Sequence, residues 1–321
     1  MKAHSWCRVV IPARESFDQA ERCIGSVAAA ASAARDADLL DRVEVVVIDD
    51  GSPRSLSALA ERFEDLTVLA SGGVGPAAAR NLGASLPGAP DLLMFTDSDC
   101  TVSTDWICAA AAAASRGAVV MQGVPWLYEC KDEWGVHEQR LYQHMFQFSY
   151  VASSECRTFD SRNLALSTSI FESIGGFPTD LCFAGAESRQ LAERILNRGT
   201  PLGWFPEMRV THRDPRCLLD AARHKFNHGR GRSVLWREPP DLRHVSRRYI
   251  GDPIRSGSDP GYVIPVHMAF LLGYLTTSAH DMGWTFADVS NLCRGLDAEA
   301  TRLGLRICEQ LRSSQEVAVR G

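Results

Sequence analysis

The apolar run Leu92-Leu93-Met94-Phe95 stops at Thr96-Asp97-Ser98-Asp99-Cys100, which places two carboxylates one residue apart. A run of this length bounded by turn residues predicts a buried strand. Two acids at the exposed end of a strand repel each other and lose hydration unless a cation or donor groups neutralise them. Magnesium or manganese suits such hard oxygen ligands, and an ion of that kind commonly holds a diphosphate. An isolated Asp-x-Asp also admits a plainer reading, a strand end capped by two solvated acids.

The pair has company. Val43-Glu44-Val45-Val46-Val47-Ile48 is β-branched and ends at Asp49-Asp50-Gly51-Ser52-Pro53. Earlier, Cys7-Arg8-Val9-Val10-Ile11 runs into Pro12-Ala13-Arg14-Glu15, and an alanine-rich helical stretch, about Ser16 to Leu40, separates the two. The order strand, helix, strand, helix, strand, with acidic or turn residues at each carboxyl end, predicts a doubly wound α/β sheet. Such sheets bind ligands in the crevice at the strand carboxyl ends. Acidic and turn clusters at successive strand ends therefore point at one site.

Composition removes several function classes. A formal net charge of −5 argues against a nucleic-acid binder by charge. The ten cysteines are scattered without a Cys-x-x-Cys pair, so their spacing does not suggest a zinc site. The first eight residues lack the apolar core of a secretory leader. Free thiols and a cytoplasmic setting are the expectation. No stretch reaches the roughly 18 apolar residues of a membrane span. Tyr262 to Tyr274 comes nearest and predicts a buried helix; the alternative is a helix lying on a membrane surface or facing a lipid-like acceptor.

Four segments taken together resemble family 2 glycosyltransferases with the GT-A fold: Val10 to Glu15, Val47 to Ser52, Gly75-Pro76-Ala77-Ala78-Ala79-Arg80-Asn81-Leu82-Gly83, and Phe95 to Asp99. Ser173-Ile174-Gly175-Gly176-Phe177 resembles the turn before that family's acceptor-side helix. The resemblance spans about residues 7 to 215. It implies a Rossmann-like mixed sheet flanked by helices over residues 1–214, followed by a mostly helical extension over 215–321. It also implies an inverting, metal-dependent transfer from a nucleoside-diphosphate sugar, most commonly a UDP-sugar.

The same resemblance distributes roles. Asp99 is expected to ligate Mn2+ or Mg2+ directly, with Asp97 nearer the ribose or a metal-bound water and His212 as third ligand. Pro12, Ala13, Glu15 and Asp50 fall where the family contacts base and ribose, while Asp49 can instead tie down its own turn. Arg80, on a helix after Gly75, can reach the diphosphate or be an ordinary surface arginine. The aromatic and histidine-rich stretch Trp134 to Tyr150 is expected to be a helix at the mouth of the site, on the acceptor side.

One departure concerns the base. The family carries Glu-Asp on the acceptor-side helix, whereas this chain has Gly185-Ala186-Glu187-Ser188. Serine alone is no general base at neutral pH. Glu187 remains as base; otherwise the acceptor needs none, or the chain is a weakened or inactive nucleotide-sugar-binding protein. A nucleotidyltransferase would want a Gly-rich basic loop after the first strand, which Pro12-Ala13-Arg14-Glu15 does not supply. Finally, Arg209 to Arg248 is basic in an acidic chain. Its core, His224 to Arg232, carries two glycines and is expected to be a mobile loop whose Arg230 and Arg232 clamp phosphate or contact the acceptor. A solvated basic face is the alternative.

Overall fold

The computed structural model describes residues 6–14, 17–150, 160–180, 186–235 and 259–281; the side chains of 145–150, 232, 234, 235, 260 and 275–281 lie outside that description. Glu15 and the Arg232 side chain are therefore outside it, as are the side chains of Phe146, Phe148 and Tyr150. The chain divides into two units, one of Met1–Glu129, Phe146–Cys182 and Glu187–Arg213, the other of Cys130–Met145, Phe183–Ala186 and Asp214–Gly321.

The first unit is built on an eight-stranded mixed sheet of order β3-β2-β1-β4-β7-β6-β8-β5. Its strands are β1 (Trp6–Ala13), β2 (Arg42–Asp49), β3 (Leu66–Ala70), β4 (Leu92–Phe95), β5 (Cys100–Val102), β6 (Val120–Tyr128), β7 (Leu164–Ser167) and β8 (Gly203–His212). β1, β2, β3 and β4 run parallel. β7 pairs antiparallel with both β4 and β6, and β5 pairs antiparallel with β8. The sheet is thus parallel where the sequence shows unbroken apolar runs and mixed beyond β4.

Alternation sets the two faces, because successive side chains of a strand point to opposite sides. Val9, Ile11, Val45, Val47 and Met94 join one core cluster with α1 (Phe17–Asp36) and α3 (Trp106–Ser115). Val10, Leu93 and Phe95 join another with α2 (Pro76–Ala84), α5 (Thr168–Ser173) and α6 (Ala186–Leu196). With both faces covered, the parallel strands need apolar residues at every position, and continuous runs rather than alternation follow.

Asn163 fastens the mixed half. Its Nδ2 donates to the carbonyls of Val124 at 3.0 Å and Met208 at 2.9 Å, and its Oδ1 accepts from Trp106 Nε1 at 2.8 Å. The amide lies so close to β6 that a Cβ at Gly123 would meet Asn163 Nδ2 at 2.3 Å, so only glycine fits there.

The second unit contains the first part of α4 (Glu133–Tyr150), together with α7 (Leu218–Leu235) and α8 (Pro260–Asp281). Tyr262, Val263, Ile264 and Val266 of α8 are buried with Leu141 and Ala221. The apolar stretch at 262–274 is thus a helix with a buried face, Pro265 included within it. Among the described residues, no helix is long and apolar enough to cross a membrane.

The expected loop at His224 to Arg232 is corrected here: these residues lie within α7. Its Gly229 serves close packing and not mobility. A Cβ there would stand 1.9 Å from the Phe270 carbonyl oxygen, and one at Gly273 would stand 2.1 Å from that of Phe226. The two helices meet backbone to backbone, glycine into the facing turn. Beside that contact Lys225 Nζ pairs with buried Glu138 at 3.1 Å, and Tyr262 donates to the other carboxylate oxygen at 2.5 Å.

Candidate active site

β1 and β2 end level at Ala13 and Asp49, and β4 ends beside Val10 of β1, so all three carboxyl ends lie on the same side of the sheet. Pro12 and Ala13 close β1 as buried residues. The Asp50 amide donates to the Ala13 carbonyl at 2.7 Å, which ties the first two strand ends.

The adjacent acids Asp49 and Asp50 have different tasks. Asp49 accepts from the amides of Ser52 at 2.9 Å and Leu56 at 3.1 Å. Burial pushes its carboxyl up, but these amide bonds outweigh that and hold it below the usual range. Asp50 accepts from Ser71 Oγ at 2.6 Å and from the amides of Val74 at 2.7 Å and Gly75 at 2.9 Å. It fixes the loop that launches α2, so the expected donor contact falls on a carboxylate already engaged in holding that loop.

Arg80 comes from that helix and is 3 % exposed, which sets aside the surface-arginine alternative. Its Nη2 lies 2.6 Å from Asp97 Oδ1 and its Nη1 3.6 Å from Glu187 Oε1, while its guanidinium carbon sits 5.3 Å from the centre of the Phe177 ring. Burial lowers the affinity of Arg80 for its proton, and Asp97 and Glu187 more than restore it. One buried cation thus serves two acids from separate elements, one at the β4 end and one on α6.

Glu187 is itself buried. Burial pushes its carboxyl above the usual carboxylate range; Arg80 opposes this, and Asp97 and Asp160 add to it. Its Oε2 is buried without a hydrogen-bond donor among the described residues. The neighbouring Ser188 hydroxyl donates to Ser161 Oγ at 3.0 Å in a buried contact.

Asp99 faces another set of partners. Its Oδ2 lies 3.1 Å from His212 Nε2 and 3.6 Å from Arg213 Nε. Burial raises its carboxyl, but His212 and Arg213 outweigh burial and hold it well below the usual range. His212 Nδ1 sits 2.7 Å from the Arg213 carbonyl oxygen. A carbonyl only accepts, so Nδ1 carries a proton, and Nε2 is the ring atom that faces the carboxylate. A carboxylate oxygen and a ring nitrogen 3.1 Å apart hold either a proton or a metal ion between them. The oxygen and nitrogen donors fit a divalent ion, and both groups are partly exposed, at 27 % for Asp99 and 14 % for His212.

Three further participants, Arg162, Asp160 and Tyr128, carry no signal in the sequence. Arg162 grips Asp160 through Nε at 2.9 Å and Nη2 at 2.7 Å, and both help set the charge around Asp99 and Glu187. Tyr128 lies against the His212 ring with centroids 5.2 Å apart.

A sequence model of glycosyl transferase family 2 matches residues 8–174, a span that holds β1 through α5 and the Asp97-Ser98-Asp99 motif. The chain belongs to glycosyl transferase family 2. It is a glycosyltransferase with the GT-A fold. Among solved structures it resembles a mannosyltransferase from Pyrobaculum calidifontis, determined with GDP-Man and Mn2+, at 18 % identity and a TM-score of 0.50. That alignment covers 96 % of this chain and 85 % of the other. It also resembles residues 1–349 of TarS from S. aureus, at 15 % identity and a TM-score of 0.50, covering 88 % and 93 % of the two chains. No curated protein sequence matches the chain.

Proposed function

We propose that this glycosyltransferase moves a sugar from a nucleoside-diphosphate donor, a UDP-sugar foremost, to an acceptor hydroxyl, with inversion at the anomeric carbon and with a divalent ion. The observation that carries the reading is the Asp99–His212 pair, held 3.1 Å apart at the edge of the sheet with Nδ1 of the histidine already committed. Family membership supports it, as does the Mn2+ and GDP-Man of the similar mannosyltransferase.

In this reading Asp99 and His212 hold the ion, and Asp97 stands nearer the ribose or a metal-bound water. When bound, the ion neutralises charge developing on the departing diphosphate. Arg80 balances Asp97 and orients Glu187. Glu187 takes the acceptor's hydroxyl proton as the acceptor oxygen attacks the anomeric carbon, and the bond to the diphosphate breaks with its electron pair leaving on phosphate oxygen. A carboxylate raised by burial is a better base than an exposed one. One base without a second carboxylate in a nucleophile position corresponds to direct displacement, hence inversion. Residues 1–214 form the catalytic domain in this proposal and 215–321 an extension.

Calorimetric titration of UDP with and without Mn2+ tests the proposal, with thermal stabilisation by UDP, GDP and dTDP comparing the nucleotides. A ligand at 100 times its Kd adds about 2.7 kcal/mol. UDP is expected to bind in a Mn2+-dependent way and to stabilise most. Equal binding with and without the ion would remove metal dependence, and stabilisation by another nucleotide alone would replace uridine.

A further inference from the structure

Cys100 follows the acidic pair and stands directly opposite His212 in the β5–β8 ladder. Residues so paired on antiparallel strands share a face, with Cβ atoms about 4.5–5.5 Å apart. The Cys100 Sγ lies 3.7 Å from Asp99 Oδ1, while His212 Nε2 lies 3.1 Å from Asp99 Oδ2. One ligand atom from each of the three residues can be chosen so that all lie within 4.8 Å of one another. Ordinary zinc bond lengths in a tetrahedron require N–O and S–O edges of about 3.3 and 3.6 Å. The observed N–O and S–O separations lie close to those edges. A set of oxygen donors alone favours magnesium or manganese, whereas sulfur shifts preference toward thiophilic metals.

We propose that Asp99, Cys100 and His212 together form a thiophilic metal site that binds Zn2+ in preference to Mn2+ and Mg2+. The inference rests on the reading of Asp99 and His212 as metal ligands and adds the sulfur as a third. Three protein ligands leave the fourth tetrahedral position open to water or a phosphate oxygen. Binding breaks the S–H bond and forms an S–Zn bond; the proton goes to solvent, and no electrons are transferred. Burial and the nearby Asp99 and Asp97 keep the metal-free thiol protonated. A coordinated thiol is deprotonated outright, so zinc uptake releases that proton. Zinc seated here competes with manganese for Asp99 and His212.

Titration of Co2+ into the full chain, followed by absorption, reads the sulfur directly. The wild-type protein is expected to develop a sulfur-to-cobalt charge-transfer band in the near ultraviolet, which Zn2+ abolishes by displacement. Cys100→Ser should lack the band and bind Zn2+ at least about 10²-fold more weakly, since even partners outside the ligand shell are worth about 10–100-fold. A wild-type cobalt spectrum without the band, or unchanged zinc affinity in a folded Cys100→Ser, would overturn the sulfur ligand. The wild-type spectrum decides this even if the variant folds poorly. Mn2+-dependent UDP binding by the same preparation reports on the parent reading separately. If that binding persists without the band, the thiol alone is excluded; if neither is seen, both readings fall.

Discussion

Asp97 and Asp99 belong to one motif yet sit in contrasting surroundings. Asp97 faces inward to Arg80, a fully buried cation that also serves Glu187. Asp99 faces His212 and Arg213, which are partly exposed and come from the end of β8 and just after it. Around Asp97 a buried protein cation already answers the acid, which suits holding geometry. Around Asp99 a histidine ring nitrogen and Arg213 face the carboxylate where both sides are partly exposed, which suits receiving an ion. The turn between β4 and β5, in which the Cys100 amide donates to the Asp97 carbonyl at 3.0 Å, thus sends the two acids to different partners.

The sharpest pressure on this contrast falls on the group that Arg80 shares with Asp97. Glu187→Gln should lower donor turnover by about 10²–10⁴-fold while nucleotide affinity stays near wild type, because only proton removal is lost. The raised carboxyl gives the sign of the pH effect. Wild-type turnover should fall as pH drops through the elevated pKa of Glu187, since protonation removes the base. In Glu187→Gln that acid limb should vanish. Wild-type turnover in the variant would place the base elsewhere.

A smaller effect, on stability, comes from the cation itself. Arg80→Ala leaves Asp97 and buried Glu187 without their counter-charge. Unpairing a buried ion costs about 3–5 kcal/mol, and the partial exposure of Asp97 places the expectation near the lower end, about 3 kcal/mol. Denaturant unfolding measures it. A loss below about 1 kcal/mol would mean that the two acids do not depend on Arg80, and the inward half of the comparison would fail.

The parts of this site differ in how visible they are along the chain. β1, β2 and β4 are plain because strands covered on both faces need apolar residues at each position, and their acidic ends stand out against that background. The burial of Arg80 is hidden: on an alanine-rich helix it looks like a surface residue, and only the third dimension brings Asp97 and Glu187 to it. β5, at Cys100–Val102, is too short to show a period, so the pairing of Cys100 with His212 has no sequence signal. The glycines of α7 mislead for a related reason. In sequence they suggest mobility, whereas Gly229 removes a side chain that would collide with the Phe270 carbonyl. Asp50 shows the same limit, since its loop-holding bonds reach Ser71, Val74 and Gly75, more than 20 residues away.

In the proposed mechanism the two acids of the motif divide metal binding from positioning. Calorimetry of UDP in the presence and absence of Mn2+, run on Asp99→Asn and Asp97→Asn side by side, tests it most directly. Asp99→Asn is expected to abolish the Mn2+ dependence of UDP binding, and Asp97→Asn to keep that dependence while losing turnover and stability through Arg80. Equal loss of the Mn2+ dependence in both variants, or its survival in Asp99→Asn, would contradict it.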